Sequence, residues 1–382
     1  MHMRAPATNP RGAATPRSWR TAGFTLVEIL IAMFLGLLVV GALGQIYVSG
    51  RVVNRVIENS ATLNENGRFA MEFFARDIRL AGYFACGGAK SMMADALSEE
   101  TFWTRLQGIE GFDGGDSLIA ADTLPDVFDA LPPPLAGRDV FAVRYADLRR
   151  SMRISPGDLD LGNDRFLFDT THPFVAGDVL VVNDAACHQA GVFQVMYAYN
   201  DSGNHSISYD PDATNADPGN CTDKLAGEYT CADPDRALKE ANPVDNFVGG
   251  VLTPLTVRTF FVANRPADEC TPTAIDCAAI AHCPTLYVAG TDVAGAVPVL
   301  PDVTDLEVTY GIDADIEAGQ PASGDADVDA YLSAHEIRAQ GLWHKVISMR
   351  IQLQLTNADC RRVDFVTTTA LRNSAGGGLL AY

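Results

Sequence analysis

Residues Phe24 to Ser49 form an apolar run in which Glu28 is the sole charged side chain. A stretch of this length can span a bilayer as a helix. A carboxylate inside such a segment is costly enough to require a functional reason. Arg4, Arg11, Arg17 and Arg20 precede the run with no acidic residue among them, which keeps the N-terminus on the cytoplasmic side. A secretory signal carries an A-x-A-like cleavage site after its apolar core. Here the cleavage point falls before the core, at Gly23.

The chain has 382 residues and a formal net charge of −20. That length accommodates one long helix and a folded region with a real core. The acidity excludes nucleic acid as a partner, because phosphate binding needs a basic face, and it suits the solubility of an exported domain. All eight cysteines, Cys86, Cys187, Cys221, Cys231, Cys270, Cys277, Cys283 and Cys360, follow the apolar run. An even number in an exported region suggests disulfides. Eight cysteines allow 105 pairings; Cys221 with Cys231, and a pair within Cys270, Cys277 and Cys283, are the favoured local ones.

The helix continues past the apolar run. Val52, Val53, Val56, Ile57, Ala61, Leu63, Phe69, Ala70, Phe73, Phe74 and Ile78 recur at near-helical spacing. Charged residues from Arg51 to Arg76 occupy much of the remainder. The spacing predicts an amphipathic extension to about Leu80, closed by Gly82. Beyond Cys86 short alternating runs are separated by Gly, Pro, Asp and Asn clusters, the pattern of β structure. Strands are expected at Val140–Tyr145, Val179–Asn183, Val192–Tyr199, Ser206–Tyr209, Val257–Ala263, Leu286–Ala289 and Leu306–Tyr310. The clearest is Val346–Leu355, with Ile347, Met349, Ile351, Leu353 and Leu355 on one face. Such alternation fits an antiparallel sheet with one dry face, with Val363–Leu371 returning beside it. Residues 210–246 read as a long loop.

Gly23-Phe24-Thr25-Leu26-Val27-Glu28 resembles the class III signal of type IV pilins and pseudopilins. Later stretches are similar to the PilW family of minor pilins: Phe74–Tyr83, Gly137–Tyr145, Val303–Asp313, Trp343 with Val346–Arg350, and Thr367–Asn373. The resemblance implies an α+β fold, a long N-terminal helix packed on an antiparallel sheet. The cysteine-bearing segment Cys221–Cys283 would add an enlarged, loop-rich, disulfide-containing region. The implied organisation is a leader at 1–23, a helix at 24–82 with its transmembrane part at 24–49, and a β-rich globular domain at 83–382. It also implies cleavage by a prepilin peptidase after Gly23, N-methylation of Phe24, and pairing of Glu28 with the N-terminal amine of an adjacent pilin. The implied location is the inner membrane with a periplasmic globular domain, then the pilus tip. The implied partners are other minor pilins, the major pilin, a tip adhesin-like protein, the prepilin peptidase and the inner-membrane assembly platform. No cofactor is implied. A J-type pseudopilin of type II secretion shares Gly23 to Glu28 and is the alternative.

Three further constellations compete with bland readings. Gly115-Asp116-Ser117-Leu118 spells the nucleophile block of GDSL hydrolases, and Asp169-Thr170-Thr171-His172-Pro173 resembles their D-x-x-H-P block. A Ser117–His172–Asp169 set could run acyl transfer, but the intervening sequence lacks the βαβ units that fold needs, so no enzyme is expected. Asp313, Asp315, Glu317, Asp325, Asp327 and Asp329 offer hard oxygen ligands for calcium, without the EF-hand order; a solvated turn is the competing account. Cys270, Cys277, His282 and Cys283 could bind zinc, but match no standard finger and favour oxidation instead.

Overall fold

The computed structural model describes residues 23–84, 93–115, 122–155, 159–160, 164–187, 189–201, 203–213, 217–225, 247–266, 283–317, 324–357 and 360–372. The chain divides into two units, residues 1–58 and 59–382.

A single helix runs Leu26–Leu80, 55 residues. In the first unit every helical residue to Glu58 is exposed. Its 26–49 stretch is apolar all round with Glu28 its sole charge, as a helix is when lipid or other helices surround it. Within the second unit the same helix is amphipathic. Leu63, Gly67, Ala70, Phe74, Ala75, Asp77 and Ile78 are buried, a stripe at three- and four-residue spacing. The helix stops where Gly82 takes φ +75°, a left-handed conformation that glycine adopts without steric cost.

Among the described residues seventeen strands follow. They are β1 Met93–Asp95, β2 Ile109–Phe112, β3 Val140–Ala146, β4 Met152–Arg153, β5 Leu159–Asp160, β6 Arg165–Leu167, β7 Val179–Asn183, β8 Ala190–Gln194, β9 Tyr197–Asp201 and β10 Asn204–Ser208. Then come β11 Val251–Asn264, β12 Pro284–Gly290, β13 Ala296–Pro301, β14 Val303–Ile312, β15 Ala330–Leu332, β16 Val346–Thr356 and β17 Arg362–Ala370. They build three sheets. The largest has nine strands along the path β1-β8-β7-β11-β12-β13, with β3 and β4 on β11 and β2 on β3. The second has the order β5-β6-β10-β9, the third β15-β14-β16-β17. The α+β class holds, with one departure from an all-antiparallel expectation: β1 pairs with β8 in parallel.

The helix seats on the β3–β11 pair and on the third sheet through one core. Leu63, Ala70, Phe74 and Ile78 join Phe141, Val143 and Phe260, and also Leu306, Val308, Met349, Ile351 and Leu353. Phe74 meets Phe141 and Phe260 edge-on at 5.6 and 5.3 Å, arrangements worth about 0.5–1.5 kcal/mol each beyond their burial. The dry face expected for residues 346–355 is present: Met349, Ile351, Leu353 and Leu355 are fully buried on β16. The run Val192–Tyr199, expected as one strand, is two. It breaks after Gln194 because β8 belongs to the nine-stranded sheet and β9 to the second.

Candidate functional site

The helix start is built by two side chains. Thr25 Oγ1 accepts from the Glu28 N–H at 3.3 Å, and the Glu28 carboxylate accepts from the Thr25 N–H at 3.4 Å and the Thr25 hydroxyl at 3.3 Å. This is a capping box, Thr-x-x-Glu, which satisfies donors that the first helical turn leaves without partners. Glu28 therefore has a local role that reading it only as an isolated charge misses. The signature is legible at residues 25–28. No cation lies on its carboxylate among the described residues. Gly23 and Phe24 precede the helix as exposed, non-helical residues, with Phe24 81% exposed, the geometry of an accessible backbone. Gly36, Gly41 and Gly44 meet nothing within 4 Å of an added Cβ.

The other end of the helix is anchored by an ion pair. Asp77 is fully buried and meets Arg258 Nη1 at 3.0 Å; Arg258 also holds Asp292, with Nε 3.1 Å from its Oδ2. One guanidinium thereby ties the helix, β11 and the β12–β13 turn. Its partners hold Arg258 well above its ordinary pKa although burial opposes this. Sequence reasoning did not single out Asp77. Its only signal is an acid on the inner stripe of an amphipathic helix.

A second polar knot joins the end of β2 to the short helix Ala334–Gln340. Asp113 accepts from the Ala334 and His335 N–H groups at 3.1 and 2.9 Å. Asp122 accepts from the Asp113 N–H at 2.9 Å and meets His335 Nδ1 at 3.0 Å and Arg338 Nη1 at 2.7 Å. Burial raises the pKa of Asp122, but these bonds outweigh it and hold the carboxyl below its usual value. Nearby, Asp139 accepts from Gly114 and Val308 N–H groups at 2.9 and 2.8 Å without a cation, and burial pushes it up to about 6. The short helix carries its own capping box, Ser333 with Glu336, and ends at Gly341 with φ +68°.

The remaining candidates fare differently. His172 is buried, and its Nε2 lies 2.9 Å from Tyr199 O and 3.2 Å from Ser206 O, while Asp169 is exposed. Among the described residues no bond joins the two, and Ser117 lies outside them. Of the hydrolase set, His172 and Asp169 are not joined, and the His172 Nε2 is turned to backbone carbonyls. In the acidic turn, Asp313, Asp315 and Asp325 bring carboxylate oxygens within 4.8 Å of one another. The buried Asp313 already accepts from the Asp315 and Ala326 N–H groups at 3.0 and 2.9 Å. Asp327 and Asp329 stand outside that cluster, and Asp329 accepts instead from the Ala314 N–H at 2.7 Å. Cys86, Cys231, Cys270, Cys277 and His282 lie outside the described residues, so neither the zinc set nor the local pairings are seen. Cys187, Cys221, Cys283 and Cys360 are described, and none is a free thiol. Trp343 packs edge-on against Tyr310 at 5.1 Å, and Trp103 against Phe102 at 5.0 Å, both as core-side residues.

Comparison with known families covers both ends of this architecture. The prokaryotic N-terminal methylation motif matches residues 20–44, which contain the capping box. The type IV pilus-assembly protein W family matches residues 259–373, which run from β11 through the third sheet. Over these two stretches the chain is similar to PilW-type minor pilins. No curated protein and no solved structure matches it. The PilW match includes Asp292 and the Ala334–Gln340 helix, so part of the anchor and of the polar knot belongs to the shared region. Pilin-family domains are structural rather than enzymatic, and the PilW family implies interaction with other pilus components. The motif and the apolar helix together fit a single-pass inner-membrane protein.

Proposed function

We propose that the chain is a minor type IV pilin that joins a tip complex and promotes pilus assembly. The observation that carries this reading is the continuity of one helix. It starts in a methylation motif with Glu28 at its first turn and enters, from Leu63 on, the core shared with the PilW-matched sheet. The prepilin peptidase cuts the leader, residues 1–23, after Gly23, and Phe24 becomes the methylated N-terminus. The apolar half, 24–49, holds the subunit in the inner membrane with the region from 83 to 382 in the periplasm. It then packs among other pilin helices, and the subunit ends at the pilus tip. There it meets other minor pilins, the major pilin and a tip adhesin-like protein, after passing through the assembly platform. Glu28 pairs with the N-terminal amine of a neighbour, because a carboxylate in hydrocarbon seeks a positive partner.

The test is direct. Gly23→Leu should leave the precursor at its full mobility on gels, and Glu28→Ala should be cleaved yet be missing from sheared pili. Normal incorporation of Glu28→Ala would sink the assembly role. A J-type pseudopilin shares Gly23 to Glu28, but the PilW match at 259–373 favours the pilus. Co-purification with secretion subunits instead of minor pilins would reverse that choice.

Two finer points belong to the same reading. Oxidation of the eight cysteines suits a periplasmic domain, and the absence of a free thiol among the four described ones supports it. Equal masses with and without alkylation of the unreduced protein would confirm it; eight added alkyl groups would refute it. The acidic turn is a hydrogen-bonded turn rather than a metal centre, since backbone N–H groups already occupy the Asp313 carboxylate. Calorimetry that detected calcium binding by the full-length chain would overturn this.

A further inference from the structure

The sheet ends in this protein are guarded, with one exception. A sheet edge presents unpaired N–H and C=O groups, and folds blunt it with brevity or proline. Edge strands β1, β2, β4, β5, β9 and β15 have two to five residues. β13 is longer but carries Pro298 and Pro301, which have no N–H to offer. β17 has nine residues, Arg362–Ala370, no proline, and an unbroken register against β16. It ends the order β15-β14-β16-β17, and no strand covers it among the described residues.

Its chemistry narrows what can pair there. Leu371 N–H donates to Ile347 O. With a period of two, the backbone groups of Val363, Phe365, Thr367 and Thr369 face β16, and those of Asp364, Val366, Thr368 and Ala370 face outward. From Phe365 to Ala370 no side chain is charged, on a chain of net charge −20. Val366 is 58% exposed. An equally acidic neighbour can therefore approach the 365–370 part of this edge without meeting like charge. A second copy is a poor fit for antiparallel pairing. Ser60 touches Arg361 and Gly67 touches Phe365, so helix and strand run in the same direction. Two copies paired antiparallel would run their 59–80 helix segments in opposite directions, against the side-by-side packing of pilin helices in the reading above.

We propose that the outer edge of β17 docks an uncharged β-strand of a different pilus subunit, extending the third sheet by one strand. The proposal rests on the pilin reading above. The experiment places a photocrosslinking amino acid at Thr368 of the full-length chain, in cells that make the pilus, with Val297 on the guarded β13 edge as control. An adduct with another pilus subunit is expected from position 368 and none from 297. Val366→Pro removes one outward N–H and leaves the β16 ladder whole, so the adduct should fall about tenfold. Val366→Lys tests the same edge with a surface change that spares folding, and should also lower it. An adduct with a second copy, or one unmoved by both variants, overturns the proposal. Co-purification with pilus subunits but no adduct at 368 overturns the docking edge alone. No co-purification overturns the edge and the pilin reading together.

Discussion

The two halves of one helix handle a carboxylate in opposite ways. In the trailing half Asp77 is fully buried and finds Arg258 within the fold at 3.0 Å. In the leading half Glu28 is exposed among apolar side chains and has only hydrogen-bond donors of its own helical turn. The trailing half is complete in one chain, because the sheet supplies both an apolar bed and a cation. The leading half is not, because nothing among the described residues of its unit covers it. The contrast separates a residue satisfied inside the fold from one proposed to act between subunits.

The largest effect should come from Asp77→Ala. It removes the buried carboxylate from a half-buried guanidinium and should cost about 3 kcal/mol, read as a drop in the denaturation midpoint of the full-length protein. Arg258 keeps Asp292, which limits the loss. If Asp77→Ala proved as mild as Glu28→Ala, the contrast would fail. Glycines sharpen it next. A Cβ on Gly67 would meet the Phe365 ring, so Gly67→Ala should cost about 1–3 kcal/mol. The same change at Gly41, which meets nothing within 4 Å, should leave the midpoint in place.

Asp139 supplies a third case, a half-buried carboxylate with no cation on it among the described residues. Burial raises it to about 6 from an ordinary 3.8. The folded protein thus binds this proton more readily than the unfolded chain. Its contribution is fully present below about pH 4 and is lost as pH rises toward 6, on the order of 2 kcal/mol. Denaturation across pH 4 to 7 should show this slope in the parent and lack it in Asp139→Asn. An unchanged slope in the variant would assign it elsewhere.

Much of this was legible in the sequence, for identifiable reasons. The helix and β16 are long enough for their periods to declare themselves, and both surfaces are half buried. Alternation does not say which sheet a strand joins, so the break between β8 and β9 was invisible. Nor did it reveal β13, whose prolines hide an edge strand. The Asp77–Arg258 pair spans 181 residues, beyond any local pattern, although a lone acid on a buried stripe was there to see. Both capping boxes, Thr25 with Glu28 and Ser333 with Glu336, were written in the sequence. Attention to charge at the first and to strands around the second passed over them. His172 shows why the hydrolase blocks carry little weight, since a motif of two blocks says nothing about what the ring touches.

The smallest change is the most discriminating. Glu28→Gln keeps a side-chain oxygen for the Thr25 N–H, so the capping box survives and stability should move by less than about 0.5 kcal/mol. Glu28→Ala removes the carboxylate half of the box, leaves the residue 28 N–H on Thr25 Oγ1, and should cost about 0.5–1 kcal/mol of helix stability. If the carboxylate serves a neighbour's amine, both variants should be missing from sheared pili to the same degree, because both lack the charge. If Gln is incorporated and Ala is not, the role of Glu28 is to start its own helix. The comparison with Asp77 would then have to be redrawn as one between two residues that both act within a single chain.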